Sequence, residues 1–238
     1  MTDDQRALQA SIRAELGITD HFDVQQEIER RVRFLSDYLL RTSCRSLVLG
    51  ISGGVDSLAA GCLSQRAVEQ AREQGHQAQF IAVRLPYGEQ ADEKDAQGGL
   101  KVINPDQILV VNVKPASDVM LEQLLASGLK FRDAAQQDFL MGNIKARQRM
   151  VAQYAIAGAN GGLVVGTDHA AEALMGFFTK FGDGAADITP LAGLNKRRVR
   201  ARASSMGAAD PWVVKVASAA REGLSPLKPG SDAVGGGY

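Results

Sequence analysis

The chain has 238 residues, 45% of them apolar, enough to bury the core of one domain of ordinary to large size. Lysine plus arginine and aspartate plus glutamate both number 27, and this zero net charge argues against a binder of nucleic acid or of membrane surfaces. Cys44 and Cys62 form no Cys-x-x-Cys pair, so we expect no disulfide framework and a cytoplasmic setting. The polar start predicts no signal peptide, and no apolar run predicts a membrane span.

Helices and strands alternate along the predicted chain from residue 24 onward. Helices are predicted at 24–41, 56–73, 91–102, 117–127, 138–158, 169–176 and 195–206. Short apolar runs predict strands at 46–52, 79–85, 107–113 and 162–167. This alternation predicts an α/β fold with a doubly wound parallel sheet and helices on both faces. Such sheets bind ligands beyond the carboxyl ends of their strands, which directs attention to the loops after Ile51, Leu85 and Gly166.

The most informative motif is GISGGVDS at residues 50–57, where the first strand passes into a helix. Glycines at 53 and 54 let backbone N–H groups approach an anion, and Ser52 and Ser57 add hydroxyl donors. The positive end of the following helix faces the same point, so the segment predicts a cradle for phosphate or pyrophosphate. Asp56 and Ser57 are also residue types that cap a helix start, and a Gly-rich turn without a ligand is the simpler reading.

The order of these residues excludes two better-known phosphate cradles. A Walker A loop needs Lys-Ser or Lys-Thr after its glycines, and a dinucleotide fold needs Gly-x-Gly-x-x-Gly; neither is present. The SGGxDS pattern instead resembles the PP-loop ATP pyrophosphatases, which have the adenine nucleotide alpha hydrolase-like fold. Asp56 lies inside the cradle, and a carboxylate beside phosphates requires a cation between them, for which magnesium is the natural choice.

Three further segments make the resemblance more specific. IAVRLPYGEQADE (81–93), GNIKARQRMVAQY (142–154) and GTDHAAEALMGFFTKFGDGAADITPLAGLNKR (166–197) are similar to the ammonia-dependent NAD synthetase family, in the expected order. The resemblance implies an amide-forming ligase that acts on deamido-NAD. ATP would convert the pyridine carboxylate to an acyl-adenylate with release of pyrophosphate, and ammonia would then displace AMP to give NAD.

The resemblance also assigns residues to ATP and to the metal. Asp56 and Glu172 would hold magnesium, and Lys196 would neutralise phosphate charge in the transition state. The remaining ATP contacts implied by the family are Gly50, Ile51, Ser52, Gly53, Gly54, Val55, Asp56, Ser57, Arg84, Gln90, Thr167 and Ser218.

Four more positions match those that the family uses for the dinucleotide and for ammonia. Arg147, Lys180 and Asp187 would bind the dinucleotide substrate. Asp183 would hold ammonium and accept its proton. Taken alone, the arginine would more often be a solvated helix residue and the aspartates turn formers. His169, between two assigned residues, is read as a structural histidine.

The match to the family weakens after about residue 200. We therefore expect one domain over 1–206 and a diverged, partly disordered segment over 207–238. Lys215 remains, and Ser218 stands where the family has threonine, but Ala220 replaces an aspartate. The chain also ends at Tyr238, before the family's His-Lys pair, and truncation or divergence would account for this.

Two other hypotheses remain open at this stage. One is a PP-loop ligase that adenylates a different acid, and the other is a catalytically impaired nucleotide-binding paralogue or truncated product. The resemblance further implies a homodimer, with the predicted helices 24–41 and 138–158 as candidate interfaces. Turnover of ATP and deamido-NAD with ammonium separates these hypotheses.

Overall fold

The computed structural model describes residues 1–19, 21–88, 93–176 and 178–207. Its strands are β1 (Ser46–Gly50), β2 (Gln79–Arg84), β3 (Gln107–Val110) and β4 (Gly162–Val164). Its helices are α1 (Asp3–Glu15), α2 (Val24–Thr42), α3 (Val55–Glu73), α4 (Glu93–Ile103), α5 (Lys114–Ala126), α6 (Ala134–Ala159), α7 (Ala170–Met175) and α8 (Lys196–Ser205).

The four strands form one parallel sheet in the order β3-β2-β1-β4. In register, β1 pairs Ser46 with Gln79 of β2 and with Gly162 of β4, while β2 pairs Ile81 with Gln107 of β3. Since β1 lies between strands that come later in the chain on both sides, the sheet order reverses beside it. The predicted doubly wound α/β fold is confirmed, and the end of β1 lies at the point where such folds bind ligands.

Both faces of the sheet are covered, which explains why its central strands are continuous apolar runs rather than alternating ones. Leu47, Leu49 and Phe80 point into the larger core with α2, α3 and α8. Val48 and Ile81 point to the opposite face, where a smaller core includes side chains of α6. Thirteen residues of α3 are buried, so this helix is packed nearly all round and its position relative to the sheet is strongly fixed.

A partly buried charge cluster joins α2 to α8. The Glu27 carboxylate accepts hydrogen bonds from Arg30, Arg31 and Arg202, with 2.7 Å between Arg202 Nη2 and Glu27 Oε2. Arg202 is fully buried and Arg31 is 7% exposed. Burial alone would raise the pKa of Glu27, but the hydrogen bond from Arg30 and the charges of the three arginines lower it to about 2. We call these four residues the arginine cluster.

The element borders differ from the predicted ones mainly where the local sequence carries a cap. Helix α6 begins at residue 134 rather than 138 because Asp133 accepts a hydrogen bond from the Gln136 N–H at 2.7 Å. Helix α1 was not predicted; Thr2 and Gln5 form a capping box at its start, but none of its residues is buried. Among the described residues, none of the helices combines the length and apolar character needed to cross a bilayer.

Candidate active site

The first part of the site is the loop between β1 and α3. Gly53 has φ +85°, and a Cβ added there would lie 3.4 Å from the backbone nitrogen of Ala96 in α4. The added Cβ would only reach ordinary contact distance, so it is the left-handed backbone conformation that requires glycine at this position. The loop therefore turns sharply at the carboxyl edge of the sheet, as the motif predicted.

Helix α3 begins at Val55, with Gly54 as its N-cap residue and no side-chain cap hydrogen bond. The interpretation of Asp56 and Ser57 as caps is wrong, because both lie inside the first turn. Ser57 Oγ instead donates to the Gly54 carbonyl at 2.9 Å, and Ser52 Oγ accepts from the Gly54 N–H at 3.2 Å. A helix start without a side-chain cap leaves its amides and its positive end available to an anion.

The second part of the site is a cluster of charged side chains beside that helix start. Ligand atoms of Asp56, His169 and Glu172 all lie within 4.8 Å of one another. The His169 Nε2 atom lies 3.6 Å from Asp56 Oδ1 and 3.6 Å from Glu172 Oε1. Lys196 Nζ forms an ion pair with Asp56 Oδ2 and lies 3.4 Å from His169 Nε2. Three segments distant in the sequence thus meet at one point, and we call these four residues the carboxylate cluster.

Negative charge in the carboxylate cluster is only partly balanced. Burial, followed by the nearby charge of Asp56, raises the pKa of Glu172 to about 7. Within the described part of the chain, the buried Asp56 Oδ1 atom has no hydrogen-bond partner. Two carboxylates of this kind are the hard oxygen donors that Mg²⁺ binds, so the donor set fits a magnesium ion held by Asp56 and Glu172.

His169 is a residue that the sequence interpretation undervalued. It is 3% exposed, and its Nδ1 accepts a hydrogen bond from the Glu172 N–H at 3.4 Å, which caps α7. Burial lowers the pKa of His169, which favours the neutral ring. Its Nε2 atom lies between the two carboxylates and the Lys196 ammonium. One sign of this role was present in the sequence. His169 is a polar residue at the start of a predicted helix, and it stands between two residues that the resemblance assigns to the site.

The third part of the site is the loop between α7 and the bridge at Ile188. Arg147 Nε on α6 donates to the Lys180 carbonyl at 3.2 Å, and Asp183 Oδ1 accepts from the Thr179 N–H at 2.8 Å. Lys180 and Asp183 are both exposed. Burial, followed by the charge of Asp183, raises the pKa of Asp168, so the Asp183 carboxylate interacts with the residue that directly precedes His169.

Asp187 has a structural function in addition to any ligand contact. Its Oδ2 accepts from the Val164 N–H at 2.7 Å, and its Oδ1 accepts from the Tyr154 hydroxyl at 3.4 Å. These bonds fix Val164, the last residue of β4, on the side of the strand that faces away from β1. The carboxylate of Asp187 thus fixes the strand end that precedes Thr167 through residues distant in the sequence, which is a structural role other than the turn formation considered above.

The family model described as NAD synthase matches residues 27–226 of this chain. The chain belongs to the NAD synthase family. Its match reaches past residue 206, where the predicted domain ends, and spans every part of the site described above. The "NH(3)-dependent NAD(+) synthetase" of Streptomyces coelicolor is 61% identical over 232 residues, which cover 98% of this chain and 84% of that protein.

Solved structures extend this likeness to the fold. The crystal structure of NAD+ synthetase from Burkholderia pseudomallei is 56% identical, with a TM-score of 0.84 over 90% of this chain and 78% of that chain. A structure of NMN synthetase from Francisella tularensis is 30% identical, with a TM-score of 0.69 over 82% of this chain and 75% of that chain. The predicted resemblance to ammonia-dependent NAD synthetases is thereby confirmed.

Within this NAD synthase fold, the remaining assigned residues fall into two groups. Arg84 ends β2 and is 2% exposed, and Thr167 is half-buried in the loop after β4, so both lie at the same edge of the sheet as the β1–α3 loop. Gln90, Lys215 and Ser218 lie outside the described residues, as does the segment predicted to be diverged and partly disordered.

Proposed function

We propose that this chain catalyses the ATP-dependent amidation of deamido-NAD by ammonia, giving NAD, AMP and pyrophosphate. The observation that carries the proposal is the meeting of Asp56, Glu172 and Lys196 directly beside the uncapped start of α3. This arrangement combines an anion-binding helix end, a carboxylate pair suited to magnesium and a lysine ammonium, as adenylation with loss of pyrophosphate requires.

In the first step, the loop from Gly50 to Ser57 binds the ATP phosphates, with Arg84, Gln90, Thr167 and Ser218 as further contacts to the nucleotide. The substrate carboxylate oxygen attacks the α-phosphorus, and the bond from that phosphorus to the bridging oxygen of pyrophosphate breaks. Magnesium held by Asp56 and Glu172 would offset the charge of the phosphates. Lys196 exchanges its ion pair with Asp56 for contact with the phosphate oxygens, on which negative charge develops.

In the second step, ammonia attacks the carbonyl carbon of the acyl-adenylate, and AMP leaves. Asp183 takes the proton of ammonium, and its exposed carboxylate is held by the Thr179 N–H at 2.8 Å. Its proximity to Asp168 makes this region negative, which favours capture of a small cation. Arg147, Lys180 and Asp187 bind the dinucleotide, and the first two carry positive charge suited to its phosphates.

The active form is proposed to be a homodimer that associates through α5, α6 and the outer edge of the sheet. Of the two helices suggested by the sequence, α2 has six buried residues and packs on α3 and α8, whereas α6 has two buried residues among its 26, Met141 and Ala157. A set of exposed apolar side chains covers this part of the molecule: Ile108, Val110, Val119, Met120, Leu125, Phe139 and Val151. An apolar surface of this kind is typical of an interface between subunits.

Turnover under defined conditions tests the function. The protein is incubated with ATP, Mg²⁺, ammonium and deamido-NAD, and the products are quantified. We expect NAD, AMP and pyrophosphate in equal amounts. If AMP forms when the carboxylic acid counterpart of NMN is the substrate, and not when deamido-NAD is, the protein would be a ligase for another acid. Binding of ATP without turnover of either acid would favour a nucleotide-binding paralogue. Replacing Mg²⁺ with a chelator is expected to abolish turnover.

A further inference from the structure

Helix α6 contacts the site at three separate loops, and one of these contacts lies on the ATP loop itself. Gln153 Oε1 accepts a hydrogen bond from the Gly50 N–H at 2.7 Å. Arg149 Nε donates to the Leu85 carbonyl at 3.0 Å, and Arg147 Nε donates to the Lys180 carbonyl at 3.2 Å. The proposed nucleotide and dinucleotide loops are therefore all attached to a single helix.

The Gln153 contact replaces a hydrogen bond that the sheet cannot make. Val165 N–H donates to the Val48 carbonyl at 2.8 Å, and a continued parallel ladder would next join the Gly50 N–H to the carbonyl of residue 165. Among the described residues, the pairing of β1 with β4 ends at Val48 and Val164, and the bridge from Val165 to Ile188 lies on the other side of the chain. The Gly50 N–H would lose its strand partner here, and the side chain of Gln153 supplies one.

Two further observations show that Gln153 is held in this role. Its Nε2 donates to the Arg149 carbonyl at 3.3 Å, which fixes the orientation of the amide so that Oε1 faces Gly50. A Cβ added at Gly50 would lie 3.1 to 3.3 Å from the three end atoms of Gln153. The amide therefore packs directly against the backbone, and a Cβ at position 50 would require the Gln153 amide to shift.

We propose that Gln153 is a positioning residue for ATP, which holds the point where β1 passes into the phosphate loop. The inference rests on the proposed function, because it takes the loop from Gly50 to Ser57 to be the ATP site. Gln153 touches no reacting atom. It fixes the first residue of the loop where two strands diverge, so that the amides beyond it keep the geometry that phosphates need.

The test uses Gln153→Leu, which keeps the size of the side chain but has no acceptor, with Gln148→Leu as the matched control. Gln148 lies on the same helix, and within the described chain its side chain has no hydrogen bond. We expect Gln153→Leu to raise the KM and Kd for ATP about tenfold, as for loss of one hydrogen bond of ordinary strength. The KM for deamido-NAD and the melting temperature should stay near those of the control.

A second measurement separates positioning from general destabilisation. Backbone amide exchange at Gly50, followed by NMR without nucleotide, should be about tenfold faster in Gln153→Leu than in the parent. Gln153→Glu retains an acceptor oxygen at the same reach and should restore the protection. Unchanged exchange at Gly50, or equal increases in the KM values of both substrates, would overturn the inference.

The outcome also distinguishes this inference from the proposed function. ATP binding is measured by calorimetry without deamido-NAD, so it does not depend on which acid the enzyme uses. A parent protein that binds no ATP contradicts the proposed function. A parent that binds ATP, together with a Gln153→Leu variant that binds it equally well, contradicts only the positioning role.

Discussion

The molecule contains two partly buried charge clusters whose compositions are opposite. In the arginine cluster, one carboxylate meets three guanidinium groups, and the pKa of Glu27 falls to about 2. In the carboxylate cluster, two carboxylates face a lysine and a neutral histidine, and the pKa of Glu172 rises to about 7. The first holds its carboxylate in the charged form with partners from the protein. The second leaves carboxylate oxygens that a cation from solution can satisfy, which distinguishes a structural cluster from a binding site.

The largest expected effect on stability comes from removing the single anion of the arginine cluster. Glu27→Ala leaves the buried side chains of Arg31 and Arg202 without their carboxylate, and we expect a loss of about 3–5 kcal/mol in the free energy of unfolding. Glu29→Ala, on the exposed side of the same helix, is the control. Chemical unfolding of both variants measures the difference, and equal stabilities would contradict a structural role for this cluster.

The corresponding change in the carboxylate cluster should affect activity rather than stability. Asp56→Asn removes a proposed magnesium ligand and the ion-pair partner of Lys196, and we expect kcat/KM to fall about 10²–10³-fold. The free energy of unfolding should change by less than about 1 kcal/mol, because loss of the partly exposed ion pair is offset by weaker repulsion with Glu172. Asp4→Asn on α1 is the control.

If Asp56→Asn lost much stability but kept its activity, the carboxylate cluster would be structural like the arginine cluster, and the proposed difference between the two would be contradicted. The unfolding measurement and the assay should therefore be made on the same preparation. Binding of Mn²⁺, followed by electron paramagnetic resonance, gives a third measurement that is independent of turnover. It should weaken in Asp56→Asn and stay unchanged in Asp4→Asn.

Acid titration should sharpen the comparison further. The pKa of Glu27 is about 2 in the folded protein and 4.5 without the fold, so its contribution to stability is complete above about pH 5 and decreases as the pH falls toward 2. Between pH 6 and pH 3 the parent should therefore lose on the order of 2 kcal/mol more stability than Glu27→Gln. Urea unfolding at the two pH values checks this, and parallel losses would show that Glu27 is not the group responsible.

The smallest expected effect separates the two functions of His169. Asparagine at this position can still cap α7, whereas alanine cannot, so His169→Ala should be less stable than His169→Asn by about 1 kcal/mol. For a chain of this size, that difference corresponds to roughly 2–4 °C in the melting temperature. Both variants lose the Nε2 group between the carboxylates, and both should lower kcat. Full activity in His169→Asn would show that the histidine serves only to cap α7.

The sequence predicted the sheet, its parallel strands and the carboxyl-edge location of the loop at 50–57, because buried strands and Gly-rich turns are encoded locally. Helix α1 was missed because its sequence is mostly polar and buries no residue, although Thr2 and Gln5 mark its start as a capping box. The contact of Lys196 with Asp56, 140 residues apart, depends on tertiary packing of α8 against α3. Family resemblance suggested both residues for the site, whereas the place of His169 between two carboxylates became visible only in three dimensions.

The uncapped start of α3 affects the apoprotein as a whole. A capping side chain at that point would contribute about 1 kcal/mol, which the present loop forgoes while no ligand is bound. Because thirteen residues of this helix are buried, any phosphate compound held at its end acts on the element most deeply integrated into the core. By mass action, a ligand at 100 times its dissociation constant adds about 2.7 kcal/mol to the folded state. Resistance to heat and proteolysis should therefore vary with the nucleotide concentration around the protein.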